Sequence, residues 1–401
     1  MRLTLVNQFY APDISPTAQL AASLAEHRAD GGDDVTVVAG RAGYLEGLSP
    51  TERAHVARGL RVRRVWTPDL GKASLWRRLF GYVTFLLGAT LRLLTLPRQD
   101  VIVSMTTPPF VVTSAVLHKL LHPSCRVVLW SMDCYPDAAE RFGELKPNGP
   151  VSKAQRALNR WAFRHVDHVV ALDGAMEQLL ASQYAAGDGR PPFSVIPNWE
   201  RLELFPPDEI ESWSGYAEID PGDRTVVVYM GNTGVGHRFD TVLDAAARLG
   251  DEAFFLFVGG GARWADLATA VEERRLTNVE LHGYVPKELT PAIMAGADGA
   301  LITLDDRALG VMSPSKLHAN LAAGLPVLYV GPLGSNVDEA ISRFACGTSL
   351  REGDVDGLVA AVRDLSSAPQ GAVARRQVRA AFEQAYSDEA ALPRWDAVID
   401  G

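Results

Sequence analysis

Cysteine is scarce in this sequence. Cys125, Cys134 and Cys346 are the three it has in 401 residues, and a set so small, scattered and odd in number makes neither a disulfide framework nor a zinc site. A reducing cytosol suits such a chain. Long apolar runs are missing as well. The best candidate for a membrane span, Leu79–Leu96, is broken by Arg92, and its uninterrupted part, Leu79–Leu91, has 13 residues, short of the roughly 20 that cross a bilayer. No excess of positive charge is present either: 39 Lys+Arg against 48 Asp+Glu leave a net charge of −9, which argues against a general nucleic-acid binder. Near the start, Leu3-Thr4-Leu5-Val6 gives way to Asn7-Gln8 and Pro12. An export signal needs a longer apolar stretch and a small-residue cleavage site, so residues 2–6 are expected to form a buried strand instead.

What is there is material for sizeable cores. The sequence is 47% hydrophobic and 22% charged, ordinary for a globular protein, and its length suggests two domains. Charge is unevenly placed. Residues 1–200 hold 22 basic and 18 acidic side chains, which leaves 17 basic and 30 acidic for the remainder. Ten of the basic residues fall within 51–100. A basic front half on an acidic protein suggests a surface that meets an anionic partner, either a membrane leaflet or a phosphorylated substrate. Trp76, Leu79, Phe80, Val83 and Leu87 recur at helical spacing, with Lys72, Arg77 and Arg78 beside them. The segment Lys72–Arg98 therefore reads either as an interfacial helix lying on an anionic membrane or as a core helix of the first domain.

Strands and helices alternate throughout. Short apolar runs at 2–6, 34–38, 101–104, 126–130 and 168–171 look like buried parallel strands, with helices at Thr17–Asp30, Trp76–Leu96 and Lys153–His165. Ser194–Trp199 reads as a last strand ending in a turn. A Pro-, Asp-, Glu- and Ser-rich stretch at 201–223 reads as a linker. A second series follows: strands at 225–230, 253–258, 278–281, 299–304 and 326–330, and helices at 239–249, 263–275, 286–295 and 315–323. The expected fold class is α/β, with two doubly wound Rossmann-like domains facing each other across a cleft, at 1–200 and 224–383. Ligands in such sheets bind at the carboxyl ends of the strands, so the loops there are where chemistry is expected.

After the first strand of the second domain comes Gly231-Asn232-Thr233-Gly234-Val235-Gly236-His237-Arg238. Its glycines bring backbone amides close to a ligand, and His237 and Arg238 add donors for phosphate oxygens. Gly259-Gly260-Gly261 shapes the next loop, and Tyr284 follows the strand after that. Before a helix at 337–343, Gly334-Ser335-Asn336 offers an N-cap serine and spare amides. Met312–Pro326 is the most informative segment. Ser313, Pro314 and Ser315 lead into a helix capped by Ser315 and ended by Gly324. Lys316 falls in its first turn, where a cation is disfavoured unless an anion offsets it. In the first domain, Tyr10–Ala18, with Pro12, Asp13, Ser15 and Thr17, follows strand one. The loop Trp130–Asp137 carries Asp133 and Asp137, placed for hydroxyl binding or proton transfer. His165 and His168 suit structural roles, and Asp305-Asp306 lacks the third ligand a metal needs.

In this order, Tyr10-Ala-Pro-Asp13, Asp133-Cys-Tyr-Pro136, Ile196-Pro-Asn-Trp199, Gly231-Asn-Thr-Gly234, Pro314-Ser-Lys316 and Leu321-Ala-Ala-Gly-Leu-Pro326, the chain resembles glycosyltransferase family 4 of the GT-B fold. The nearest branch comprises bacterial enzymes of O-antigen, capsule and colanic-acid synthesis. The resemblance implies a metal-independent, retaining transfer from a nucleotide-diphosphate sugar (UDP-, GDP- or dTDP-linked), with no further cofactor. It puts the donor on the second domain, the acceptor on the first, and a C-terminal helix, 384–401, back on the first. With the two βα series, the phosphate-friendly loops and the basic apolar segment at 72–98, the expectation is a cytoplasmic enzyme, peripheral at the inner face of the membrane, whose acceptor is a lipid-linked or other cell-envelope glycan.

By matching position, the resemblance has Gly231–Arg238 and Lys316 hold the diphosphate, places Gly334–Asn336 nearby, and puts Asp133 at the reacting centre. Three departures stand out. The two glutamates many relatives carry eight residues apart are Val311 and Ala319 here, and the second usually meets the ribose. The usual Arg and Lys of the phosphate loop fall at or near Asn232 and His237, with Arg238 as a substitute. The glycine-rich first-domain loop of relatives reads Ser15-Pro16-Thr17-Ala18. A soluble natural-product acceptor, a catalytically silent sugar-nucleotide binder and a GT-B epimerase stay open from the residues alone.

Overall fold

A computed structural model of the chain describes all residues except 14, 42–58, 69–74, 186, 188–189, 206–209 and 368–370. Lys72 and part of the expected linker thus lie outside the described residues. The chain forms two units, Met1–Pro197 with Leu392–Gly401, and Asn198–Ala391.

The first unit runs β1 (Arg2–Val6), α1 (Pro16–Asp30), β2 (Asp34–Gly40), β3 (Leu60–Val65), α2 (Leu75–Thr95), β4 (Val101–Met105), α3 (Val112–Leu121), β5 (Arg126–Trp130), α4 (Asp137–Arg141), α5 (Pro150–Phe163), β6 (His168–Ala171), α6 (Gly174–Tyr184) and β7 (Phe193–Val195). Its seven strands lie in the order β3-β2-β1-β4-β5-β6-β7, every neighbouring pair parallel. Strands β1, β4 and β5 are apolar runs because helices cover both faces. Edge strand β3, Leu-Arg-Val-Arg-Arg-Val, escapes a search for apolar runs. Its arginines at 61 and 63 face solvent, where charge protects an edge from pairing. The polypeptide reverses its winding between β1 and β4, and a doubly wound sheet opens a ligand crevice at such a point.

The second unit contains α7 (Tyr216–Ile219), β8 (Thr225–Asn232), α8 (Asp240–Leu249), β9 (Ala253–Gly260), α9 (Trp264–Glu273), β10 (Val279–His282), α10 (Thr290–Ala295), β11 (Gly299–Thr303), α11 (Lys316–Ala322), β12 (Val327–Val330), α12 (Asn336–Phe344), β13 (Gly347–Leu350), α13 (Val355–Ser367) and α14 (Gly371–Ala385). The order is β10-β9-β8-β11-β12-β13, again all parallel, with its reversal between β8 and β11. Phe255, Phe257, Val242 and Leu358 anchor the core. Much of the expected linker packs on this unit. The Trp213 amide donates to Ala292 O at 3.1 Å and the Tyr216 hydroxyl to Ile293 O at 2.7 Å.

The last helix, α15 (Asp388–Asp400), begins in the second unit and ends in the first. There Trp395 is fully buried, its ring 4.4 Å from that of Trp130. Arg28 reaches Asp396 at 2.9 Å and Asp400 at 2.7 Å, and Arg126 donates to the carbonyls of Ile399 and Val398. Cys125, Cys134 and Cys346 are buried free thiols.

Candidate active site

In the second unit the crevice between β8 and β11 is floored by closely approaching backbone. A Cβ on Gly259 would stand 2.1 Å from Gly231 O, so a side chain there would push the paired ends of β8 and β9 apart. Thr233 locks the same approach. Its amide donates to Gly260 O at 2.7 Å and its hydroxyl to the same oxygen at 3.1 Å. Expected to touch substrate, Thr233 is instead fully buried and spent on the fold. Gly260 lies under the ring of Tyr284, itself exposed.

Lys316 comes from α11, far along the chain, yet its Nζ sits over this loop. It donates to Asn232 O at 2.9 Å and to His237 Nε2 at 3.1 Å, and lies 4.8 Å from the centre of the Tyr229 ring. Among the described residues no carboxylate pairs with it. Burial without a counter-charge lowers its pKa to about 7, because the charged form loses hydration and gains no anion. A cation kept this way invites an anionic ligand.

His237 corrects an expectation. Its Nδ1 is 2.7 Å from Thr303 O, so the proton sits there, and Nε2 is the acceptor for Lys316. Burial and the Lys316 charge drive its pKa down to about 3. No N–H is left over for a phosphate oxygen. Arg238 is engaged by Asp240 at 3.4 Å and Glu352 at 3.8 Å on the surface.

Ser315 corrects another. Its side chain makes no capping bond; its carbonyl instead accepts from His318 Nδ1 at 2.9 Å. The exposed hydroxyl has no hydrogen-bond partner among the described residues. Ser335 does cap α12, accepting from the Asp338 amide at 3.2 Å and donating to Tyr329 Oη at 2.8 Å. The Gly334 amide is taken by Asp338 Oδ2. Asn336 ties this turn to the Ser313–Ser315 loop through Pro314 O at 3.3 Å. Val311 is buried and Ala319 partly exposed. Asp305 and Asp306 pair with Arg307 and Arg351.

In the first unit, Asp133 follows β5. The Thr106 hydroxyl oxygen accepts from the amides of Met132 at 2.9 Å and Asp133 at 3.2 Å, which fixes the turn. Burial alone raises the Asp133 carboxyl to about 6, and among the described residues nothing hydrogen-bonds or ion-pairs with it. Asp137, expected beside it as a substrate ligand, turns inward instead. Arg156 holds it at 2.8 Å and the Tyr184 hydroxyl donates to it. In the loop after β1, Asp13 accepts from the Ser15 amide at 2.8 Å. The Ser15 hydroxyl is buried without a partner among the described residues, while Pro12 is exposed and Thr17 half-buried. Arg64 braces this loop, donating to the carbonyls of Tyr10, Ala11 and Gly40. His165 and His168 bond Trp161 O and Ser194 Oγ, as structural histidines do.

The structure thus gathers Gly231, Asn232, His237 and Lys316 at one crevice, and Pro314 with Asn336. Sequence reasoning overlooked Thr106, Arg64, Tyr229 and Thr303. Three of them look like ordinary strand or loop residues; the arginine-rich strand around Arg64 carried the one signal available.

Residues 17–199 match the glycosyl transferase 4-like domain, and residues 224–368 the glycosyl transferases group 1 family. The probable glycosyltransferase WbjE of Pseudomonas aeruginosa is 26% identical over 315 residues, 75% of this chain and 74% of that one. The putative colanic acid biosynthesis glycosyl transferase WcaI of Escherichia coli (strain K12) is 24% identical over 252 residues, 61% of each chain. Sucrose-phosphate synthase from Thermosynechococcus elongatus shares the fold, with a TM-score of 0.76 at 14% identity over 100% of this chain and 98% of that one. So does Alr3699/HepE of Anabaena in complex with UDP-glucose, at 0.69 and 13% over 100% and 99%.

Proposed function

Because the chain belongs to the family 4 glycosyltransferases, we propose that it moves a sugar, with retention and without a metal, from a nucleoside-diphosphate donor on the second unit to a lipid-diphosphate-linked cell-envelope glycan on the first. The observation that carries this reading is Lys316, a half-buried amine with no carboxylate beside it among the described residues, over the β8–β11 crevice. A UDP-glucose complex in a protein of the same fold supports the donor class.

In the proposed reaction the bond from the anomeric carbon to the diphosphate breaks, and its electron pair leaves with the diphosphate. Lys316 stabilises that growing charge. The acceptor hydroxyl attacks from the face the diphosphate leaves, and its proton passes to the departing phosphate oxygen. Asp133, fixed by Thr106, accepts a hydrogen bond from a second hydroxyl of the acceptor and so orients it. Arg238 adds charge only by leaving Asp240 and Glu352, and is the lesser contributor.

A membrane-borne acceptor is supported by α2. Phe85, Ala89 and Leu93 are fully buried, while Trp76, Phe80, Val83, Leu87 and Leu91 stand on the exposed side, Trp76 at 80% and Leu91 at 66%. No helix among the described residues is long and apolar enough to cross a membrane. A helix with this face and nearby arginines suits the interfacial plane of an anionic leaflet.

The test is incubation with UDP-, GDP- and dTDP-sugars and extracted lipid-linked glycans in EDTA, with the product's anomeric configuration read by NMR. Retention of the donor's configuration is expected. An inverted product, or turnover only with added metal, contradicts the proposal.

A further inference from the structure

Lys316 is held from several sides before any ligand arrives. An ammonium has three donors. One goes to Asn232 O and one to His237 Nε2; the third has no acceptor among the described residues. The face of Tyr229 underlies the amine, and the Tyr229 hydroxyl donates to Asn232 O at 3.0 Å. His237 is in turn anchored across the crevice to Thr303 at the end of β11.

We propose that His237 is a positioning residue that keeps the Lys316 amine aimed into the β8–β11 crevice, with its free donor reserved for a diphosphate oxygen. The inference rests on the donor reading above, and goes beyond it by giving His237 a role other than phosphate contact. The relay runs Thr303 carbonyl, His237 Nδ1–H, His237 Nε2, Lys316 Nζ. It works only with the imidazole neutral, since a second ring proton would point at the ammonium. Lysine carries a flexible four-carbon stem whose freedom is lost when the amine is fixed on a ligand. An imidazole that fixes it beforehand lets the ligand bind without that loss.

The experiment is calorimetric titration of the full chain with UDP, GDP, dTDP and inorganic pyrophosphate, using the parent, Lys316→Gln, His237→Ala and His237→Gln. With the preferred nucleoside diphosphate, Lys316→Gln is expected to weaken binding about 30-fold and His237→Ala about tenfold. Binding of the matching nucleoside, which has no phosphate, stays unchanged in both. His237→Gln returns to within about threefold of the parent, because the amide can donate to Thr303 and accept from Lys316. Nitrogen NMR of the imidazole supplies a readout that needs no ligand: His237 protonated at Nδ1 alone, with an Nε2 resonance that moves in Lys316→Gln.

Parent-like diphosphate affinity in His237→Ala overturns the positioning role and leaves the donor reading standing. Equal losses of nucleoside and diphosphate affinity also overturn it, as does a ring protonated at Nε2. A parent that binds neither a nucleoside diphosphate nor pyrophosphate overturns both readings together.

Discussion

Asp133 and Lys316 are two candidate-site groups whose charge burial makes costly, in opposite senses. Burial lifts the Asp133 carboxyl to about 6, so the ionised form that accepts from a hydroxyl fills only as pH rises through 6. The rate is expected to climb across that range, and Asp133→Asn to lower kcat by about 100-fold. The same shift affects stability. A carboxyl raised above its unfolded value binds its proton more tightly when folded, so its contribution is fully present below the unfolded pKa and is lost as pH rises from about 4 through 6. Asp133→Asn is therefore expected to be more stable than the parent at pH 8, by about 1–2 kcal/mol in urea unfolding. Unchanged activity, or a less stable variant, would argue against a catalytic post.

Lys316 runs the other way. Its lowered pKa of about 7 means that the free chain loses this cation as pH rises through neutrality, while a bound diphosphate favours the charged form. Nucleoside diphosphate affinity is expected to be roughly 10–100-fold weaker at pH 9 than at pH 6.5. Lys316→Arg removes that dependence, because a guanidinium stays charged throughout. Titration at the two pH values checks both. Little of this could be read from sequence. His237 and Lys316 lie 79 residues apart, and a histidine in a glycine-rich loop reads as a phosphate donor until its two nitrogens are found already committed.

At the scale of elements, the legible parts were the strands buried on both faces, whose apolar runs need no context. Strand β3 was missed because its edge position lets arginine replace valine. Of the two readings of α2, the core one is met by the buried Phe85, Ala89 and Leu93, while the exposed Trp76, Leu87 and Leu91 leave membrane contact as a proposal. A periodic apolar pattern alone does not tell which side of a helix the rest of the fold covers. Full-length protein is expected to sediment with vesicles containing phosphatidylglycerol and not with neutral ones. Trp76→Ser with Leu87→Asn and Leu91→Asn should abolish most of that binding without lowering the melting temperature. Equal sedimentation with neutral vesicles, or a parent-like triple variant, would remove α2 from membrane contact.

At the scale of the whole molecule, the chain closes its first unit with residues from its far end. Two βα series were visible as alternating patterns, but the pairing of Trp395 with Trp130, and of Arg28 with Asp396 and Asp400, joins positions with no local signal. Trp395→Ala leaves a large cavity in a well-packed core and is expected to cost about 3–5 kcal/mol in the unfolding of the first unit. Urea titration followed by tryptophan fluorescence measures it, and a loss under about 1 kcal/mol would show that the last helix only rests on that unit.

The central claim is that the second unit holds a diphosphate with lysine charge rather than a metal. It is tested most directly by titrating the parent chain and Lys316→Gln with UDP, GDP and dTDP in EDTA at pH 6.5. Binding of one nucleoside diphosphate to the parent, undiminished by chelation and largely lost in the variant, is the result predicted. Binding that needs a divalent ion, or that Lys316→Gln leaves intact, would contradict it.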